Sequence, residues 1–448
     1  MAENMPEEVD LLIEARWVIP VEPAGAALAD HAVAVKGGRI AALAPTAEAR
    51  RRFSPNQTVT LSSHVLIPGL VNLHTHAAMS LMRGLADDLP LMTWLHDHIW
   101  PAEAKHVSPE FVYDGTLLAA AEMLRGGITC ANDMYFYPDA AGRAFLDAGM
   151  RASLGLIAVE FPTRYAADPE AYLARGLATR DALRGESRLS FCMAPHAPYT
   201  VSDRTFTRLA TLAEELDLPI HLHLHETADE VARSFDEHGA RPIDRLRALG
   251  LLSPRLIAVH AVHLTDDEID KLADHGCSVA HCPSSNLKLA SGFARVAAML
   301  ERGVNVGLGT DGAASNNRLD LFAETRAAAL LAKAVAGRAD ALPAMEALRA
   351  ATLGGARALG LDGTIGSIVP GKAADLSAVS IDRLELAPCF DPASHLVYAC
   401  GRDDVTHVWV DGELVVFERQ LAKVDGPKLE NRIFLWHNAL IEQRSPDF

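Results

Sequence analysis

Eight short β-rich runs separated by helical stretches constrain this chain more than any other feature. They are "VLIPGLVNLHTH" from Val65, "GITCANDM" from Gly127, "ASLGLIAVE" from Ala152, "RLSFCMAPH" from Arg188, "LPIHLHLHE" from Leu218, "LIAVHAVH" from Leu256, "CSVAHCP" from Cys277 and "NVGLGTDG" from Asn305. Between them, stretches such as "DRTFTRLATLAEELD" and "FARVAAMLERG" repeat apolar residues three and four apart, the helical period. Eight strand–helix units in succession predict an α/β chain built on a parallel (β/α)8 TIM-like barrel. The segment from Leu81 to Glu122 is longer than one helix requires, and is expected to add lid or pocket structure over the first strand.

Both chain ends fall outside that beat. "DLLIEARWVIPVEP" and "HAVAVKGGRIAALAP" alternate apolar and polar residues and turn at Gly37-Gly38; "GKAADLSAVSID" and "VTHVWVDGELVVFERQ" do the same with a turn at Asp411-Gly412. Neither end alone holds enough apolar residues for a core. They are expected to associate into one small β-sandwich domain, residues 1–64 with 376–448, beside a catalytic barrel domain over 65–375.

Composition excludes several function classes. A net charge of −17 with no dense basic cluster lacks the footprint of a nucleic-acid binder. No uninterrupted apolar run is long enough to cross a bilayer, and the acidic start "MAENMPEEVD" shows no secretory signal. Cys130, Cys192, Cys277, Cys282, Cys389 and Cys400 are scattered without a CxxC pair, which suits a reducing cytoplasm. A homo-oligomer is left open.

Polar residues collect at the predicted strand ends, where barrels of this kind carry their working sites. His74 and His76 end the first strand and His196 the fourth; His223, His225 and Glu226 end the fifth, His260 lies in the sixth and Asp311 ends the eighth. Imidazoles and a carboxylate converging on one mouth suit a divalent first-row metal such as zinc. In "LPIHLHLHETADE", His221, His223 and His225 occupy alternate positions and would share one face of an extended strand. Strand geometry alone does not say which of them works.

The strings "PGLVNLHTH", "HLHLHET", "AVHAVHL" and "LGTDGAASNN" resemble the metal-dependent deaminase branch of the amidohydrolase superfamily, from about Val65 to "VWVDGELVV". "RGLADDLPLMTWL", "MAPHAPYT", "SSNLKL" and "TDGAASNN" are most similar to the 5′-methylthioadenosine/S-adenosylhomocysteine deaminases. That resemblance implies His74, His76, His223 and Asp311 as metal ligands. Its His-x-x-Glu pattern selects His223 and Glu226 over His225 and His221, which then read as packed or hydrogen-bonded barrel histidines, and it selects His260 over His263. Two-metal members usually bridge their ions with a carbamylated lysine on the fourth strand. No lysine occurs between Lys105 and Lys271, so one divalent ion, zinc by preference, is expected.

The implied reaction is hydrolytic deamination of adenine in a purine nucleoside. A bound metal would lower the pKa of a water from about 15.7 towards ~7 for attack on C6. Glu226 would deliver a proton to N1, Asp311 would pass one from the water to the departing amine, and His260 would orient the attacking oxygen. Glu103, in "WPAEAK", is implied to accept hydrogen bonds from the ribose diol, since a carboxylate accepts without donating. His196 is implied to contact purine or ribose; Trp94 and the methionines near it could pack on the thioether, and core packing explains them equally well. Relatives that handle S-adenosylhomocysteine can place two arginines after the third strand. Here Leu156 occupies the region of the first, Arg151 lies at the wrong strand end, and Arg164 alone remains as an anion partner. Methylthioadenosine is therefore the expected substrate, with S-adenosylhomocysteine and adenosine weaker. The alternatives are a guanine, pterin or s-triazine deaminase on the same scaffold, or a barrel that lost catalysis, which no missing ligand suggests.

Overall fold

The computed structural model describes residues 5–441, so the first four residues of the acidic N-terminal stretch and the last seven of the chain lie outside the description. Eight strands follow the predicted beat: β5 (Leu70–Thr75), β6 (Ile128–Tyr135), β7 (Arg151–Ala158), β8 (Leu189–Pro195), β9 (Ile220–Leu224), β10 (Leu256–His260), β11 (Ser278–His281) and β12 (Asn305–Leu308). Each pairs in parallel with the next in sequence order. The last strand returns to the first, where the Asp311 N–H donates to the His74 carbonyl at 3.0 Å. Every residue of β5, β6, β7, β9, β10 and β11 is buried, because helices cover the outer face of a parallel barrel and side chains fill its inside. Side-chain caps start several of those helices. Ser202 accepts from Thr205 N–H, and Thr265 with Glu268 forms a reciprocal capping box.

The two chain ends build a second, mixed sheet before and after the barrel: β1 (Glu7–Val18), β2 (Leu28–Lys36), β3 (Arg39–Pro45), β4 (Phe53–Pro68), β13 (Leu376–Ser380), β14 (Val405–Val410), β15 (Glu413–Phe417) and β16 (Gln420–Leu421). Its order is β16-β15-β14-β13-β4-β1-β2-β3, with β13 antiparallel to β4 as the seam between the ends. Both expected turns are present, with positive φ at Gly37, Gly38, Asp411 and Gly412, the conformation a tight hairpin with right-handed twist requires. The sheet curls until these two turns meet. A Cβ on Gly38 would overlap the Asp411 carbonyl, and the Ala374 N–H donates to Gly38 O at 2.9 Å.

Two elements differ from the sequence expectation. The run from Val65 is shared between sheets: Val65–Pro68 completes β4, and the barrel begins at Leu70. Gly69 is the joint, because any side chain there would overlap Thr129. A C-terminal helix, Gly426–Ile441, also lies beyond the last strand and packs on the helix Pro109–Arg125. Its Trp436 Nε1–H donates to Asp114 at 2.8 Å and its Arg432 pairs with the same carboxylate. The long segment after β5 forms a 3-10 turn, Ala77–Met82, and a helical stretch over 91–106 ahead of Pro109–Arg125. Among the described residues no helix is long and apolar enough to cross a membrane, and all six cysteines are free.

Candidate metal centre and active site

Backbone bends at the strand ends aim the polar side chains. His260 closes β10 with φ +69° and Asp311 follows β12 with φ +60°. For residues with a Cβ this left-handed region costs on the order of 1–3 kcal/mol and persists only where neighbours hold it. Asp311 is held by its N–H bond to the His74 carbonyl and by the Gly312 N–H, which donates to Asp311 Oδ1 at 2.7 Å.

The geometry around Asp311 fits a cation. His74 Nε2 lies 3.2 Å and His76 Nε2 3.3 Å from Asp311 Oδ1, and His223 Nε2 lies 3.3 Å from His76 Nε2. Bonds of about 2.0–2.1 Å to a tetrahedral zinc ion place ligand atoms about 3.3 Å apart. Proton placement makes the same case. His76 Nδ1–H donates to the Met134 carbonyl at 2.6 Å and His223 Nδ1–H to the His196 carbonyl at 2.7 Å. Carbonyls only accept, so in neutral rings both Nε2 atoms present lone pairs that face each other, an arrangement that a cation between them would satisfy. His74 Nε2 is likewise buried without a hydrogen-bond partner. His260 extends the cluster, with its ligand atom close to those of His74 and His223.

Electrostatics hold the protonation states a metal site needs. Burial pushes His223 well below the ordinary histidine value and His74 down to about 4, so both imidazoles are neutral at neutral pH, the form that metal ligation requires. Burial also pushes the Asp311 carboxyl upward, but His74 and its neighbours more than offset this and keep it ionised. Ser285 and Ser315 donate to Asp311 Oδ2 at 2.6 and 2.7 Å, which fixes the carboxylate and turns Oδ1 toward the histidines. Glu226 is buried 3.8 Å from His260 Nε2, and burial raises its carboxyl. His260 Nδ1 bonds Asn286 Oδ1 at 2.8 Å.

The three alternate histidines do not share one face, because only His221 and His223 lie in β9. His221 points inward to His74. β9 ends at Leu224, and His225 adopts φ +56°, which turns its ring away to accept from Ile243 N–H and bond the His263 carbonyl. Alternation stops where the strand stops.

A family model described as "Amidohydrolase family" matches residues 65–415. The chain belongs to the amidohydrolase family. It is 47% identical over 436 residues to a 5-methylthioadenosine/S-adenosylhomocysteine deaminase of Saccharophagus degradans, covering 97% of this chain and 98% of that one. A protein of the same name from Teredinibacter turnerae is 44% identical over 436 residues, covering 97% and 99%. A crystal structure described as an adenosine deaminase from Xanthomonas campestris with bound zinc is 52% identical, with a TM-score of 0.96 over 98% of this chain and 100% of that one.

In this amidohydrolase a cavity of about 550 Å³ opens beside the cluster. His76, His223, Glu226, His260 and Asp311 line it, as do Glu103, His196, Trp94 and Arg164; His74 lies beneath. No lysine lines it. The Tyr135 hydroxyl donates to Glu103 Oε1 at 2.7 Å, and burial pushes Glu103 up to about 7. His196 bonds Thr200 Oγ1 at 3.0 Å, and burial lowers it to about 3. Arg164 is exposed at the rim and donates to the Lys105 carbonyl at 2.6 Å. Leu156 faces outward against Gly176, while Ile157 and Val159 line the cavity, so position 156 does not address the site.

Sequence reasoning did not single out Tyr135, Glu230, Ser285, Asn286 or Ser315. Glu230 accepts the N–H groups of His225 and Glu226, each at 2.8 Å, and so pins the turn that carries Glu226. Ser285, Asn286 and Ser315 stand in "SSNLKL" and "TDGAASNN", just after the seventh and eighth strands, and that position was the available signal.

Proposed function

We propose that this chain hydrolyses the C6 amino group of adenine nucleosides to ammonia and the inosine analogue. 5′-Methylthioadenosine is the preferred substrate; S-adenosylhomocysteine and adenosine are weaker. The observation that carries this reading is the pair of bare imidazole nitrogens facing each other beside Asp311, with Glu226 and His260 adjoining and an apolar cavity in front. The names of the relatives from Saccharophagus degradans and Xanthomonas campestris support the same chemistry.

His74, His76, His223 and Asp311 would hold one divalent ion, zinc by preference. When bound, such an ion supplies Lewis acidity that makes a water reactive at neutral pH. Glu226, which burial holds toward its protonated form, donates to ring N1 as C6 becomes tetrahedral. Asp311, kept ionised, takes a proton from the attacking water and returns it to the departing amine. His260, anchored by Asn286, orients the attacking oxygen. A positioned acid or base of this kind contributes about 10²–10⁴-fold.

Glu103 accepts the ribose hydroxyls, His196 contacts the nucleoside and Trp94 packs on the 5′-thioether. The apolar wall of Trp94, Trp100, Phe161 and Ile157 favours a methylthio group over a charged homocysteine tail. Among the described residues Arg164 is the one arginine or lysine lining the cavity, and a backbone carbonyl already engages it. Six free cysteines favour a reducing cytoplasm, and the net charge of −17 favours a small-molecule partner over nucleic acid.

The deciding experiment is ammonia release from methylthioadenosine, S-adenosylhomocysteine, adenosine, guanine and a pterin, with metal content measured on the same sample. Fastest release from methylthioadenosine, with about one ion per chain, is expected. Turnover of guanine or pterin alone would overturn the proposal.

A further inference from the structure

His221 is fully buried in β9, and its Nε2 lies 2.9 Å from His74 Nδ1. The other two imidazoles of the cluster hand their Nδ1–H to backbone carbonyls, which leaves each a single usable tautomer with Nε2 bare. His74 has no such anchor. Its partner is another imidazole, which either donates or accepts. His221 is unanchored in turn, because its Nδ1 is buried with no partner.

Two placements of the pair's ring protons satisfy the bond between them. In the first, His221 Nε2–H donates to His74 Nδ1, and His74 carries its own proton on Nε2, which has no hydrogen-bond partner although Asp311 Oδ1 lies 3.2 Å away. In the second, His74 Nδ1–H donates to His221 Nε2, His221 carries its proton on Nδ1, and His74 Nε2 is bare. Only the second can ligate a cation. Resting on the reading of His74 as a ligand, we infer that His221 is a positioning residue that sets the tautomer of His74 by accepting its Nδ1–H, which leaves His74 Nε2 bare for a divalent ion. Each ring holds one proton in that placement, so neither is charged in a fully buried place.

The test is zinc affinity, read by competition with a chromogenic chelator on the full-length protein after stripping and reloading. His221→Leu keeps the volume and removes the acceptor, and it should bind zinc roughly 10–100-fold more weakly. The Tm of the stripped variant should stay close to wild type, since the unpartnered His221 Nδ1 leaves with the substitution while the buried His74 Nδ1 loses its partner. His221→Gln, whose side-chain carbonyl accepts, should recover most of the affinity. Nitrogen NMR of histidine-labelled, zinc-loaded wild type should place the proton of each ring, His74 and His221, on Nδ1 rather than on Nε2. That measurement decides the matter if His221→Leu does not fold. Equal zinc affinity in wild type and His221→Leu, or a loaded protein with His221 protonated on Nε2, would overturn the inference. Full zinc retention by His74→Ala would instead overturn the ligand assignment beneath it.

Discussion

In its proposed role Glu103 accepts two hydroxyl hydrogens as a carboxylate, yet burial pushes its carboxyl up to about 7, and the Tyr135 hydroxyl is the group that pulls it back. KM for methylthioadenosine should therefore rise as pH falls through about 7, while kcat changes less. Tyr135→Phe removes the donor, so the rise should begin at higher pH. A KM profile that does not move in Tyr135→Phe would contradict this. Linkage gives a second readout. The folded value lies above the ordinary 4.5, so the folded state binds this proton more tightly, and ionised Glu103 lowers stability. That loss is absent below about pH 4.5, grows toward about pH 7 and is constant above. Glu103→Gln should accordingly raise Tm relative to wild type at about pH 8 more than at about pH 5, while weakening nucleoside binding. A free base has no ribose, so its turnover should be indifferent to the change.

At the level of the element, the turn after β9 shows what a sequence pattern conveys and what it leaves out. The period-2 run and the helical stretch after it made a barrel strand legible, and resemblance separated His223 and Glu226 from their neighbours. The left-handed φ of His225 was not legible, because Ile243 and His263, distant in sequence, supply the bonds that hold the ring outward. Gly69 was obscured for a related reason: an unbroken apolar run spans two sheets, and the break is visible only against Thr129. The helix Gly426–Ile441 escaped because it has no clean apolar stripe; Leu429 and Leu440 are buried, but Phe434 and Leu435 are exposed. The β9 turn itself yields a prediction. Glu230 holds the backbone of both His225 and Glu226, so Glu230→Ala should displace the acid without removing it. A displacement of about 1 Å costs on the order of 10²-fold in rate. We expect a kcat loss of that size with zinc content unchanged; loss of zinc together with activity would mean the turn supports the ligands instead.

The whole molecule depends on joining a barrel to a sheet made from both chain ends, and one ionic network does much of this at the barrel end away from the cavity. Arg151, the first residue of β7, is 4% exposed and bonds Asp375 at 3.0 and 3.2 Å and Asp411 at 2.6 Å. Arg188, just before β8, reaches the same Asp411 at 3.0 Å and Glu413 at 2.8 Å. The carboxylates come from the returning C-terminal segment, and Asp375 also accepts the Asp411 N–H that shapes the β14–β15 turn. Arg151 is thus committed to joining the two sheets, which is why it cannot serve an anionic substrate at the opposite mouth. Removing one member of a buried ion pair leaves the other charge unpaired and costs about 3–5 kcal/mol. Arg151→Met should lower Tm and the denaturant midpoint accordingly, and Arg151→Met with Asp375→Asn should recover part of the loss because no buried carboxylate is then stranded there. Since the substitution lies a full strand length from Asp311 and Glu226, kcat and KM of the folded fraction should match wild type. A single variant with wild-type Tm would show that apolar packing alone joins the sheets, whereas a change in kcat at wild-type zinc content would show that the joint reaches the catalytic mouth.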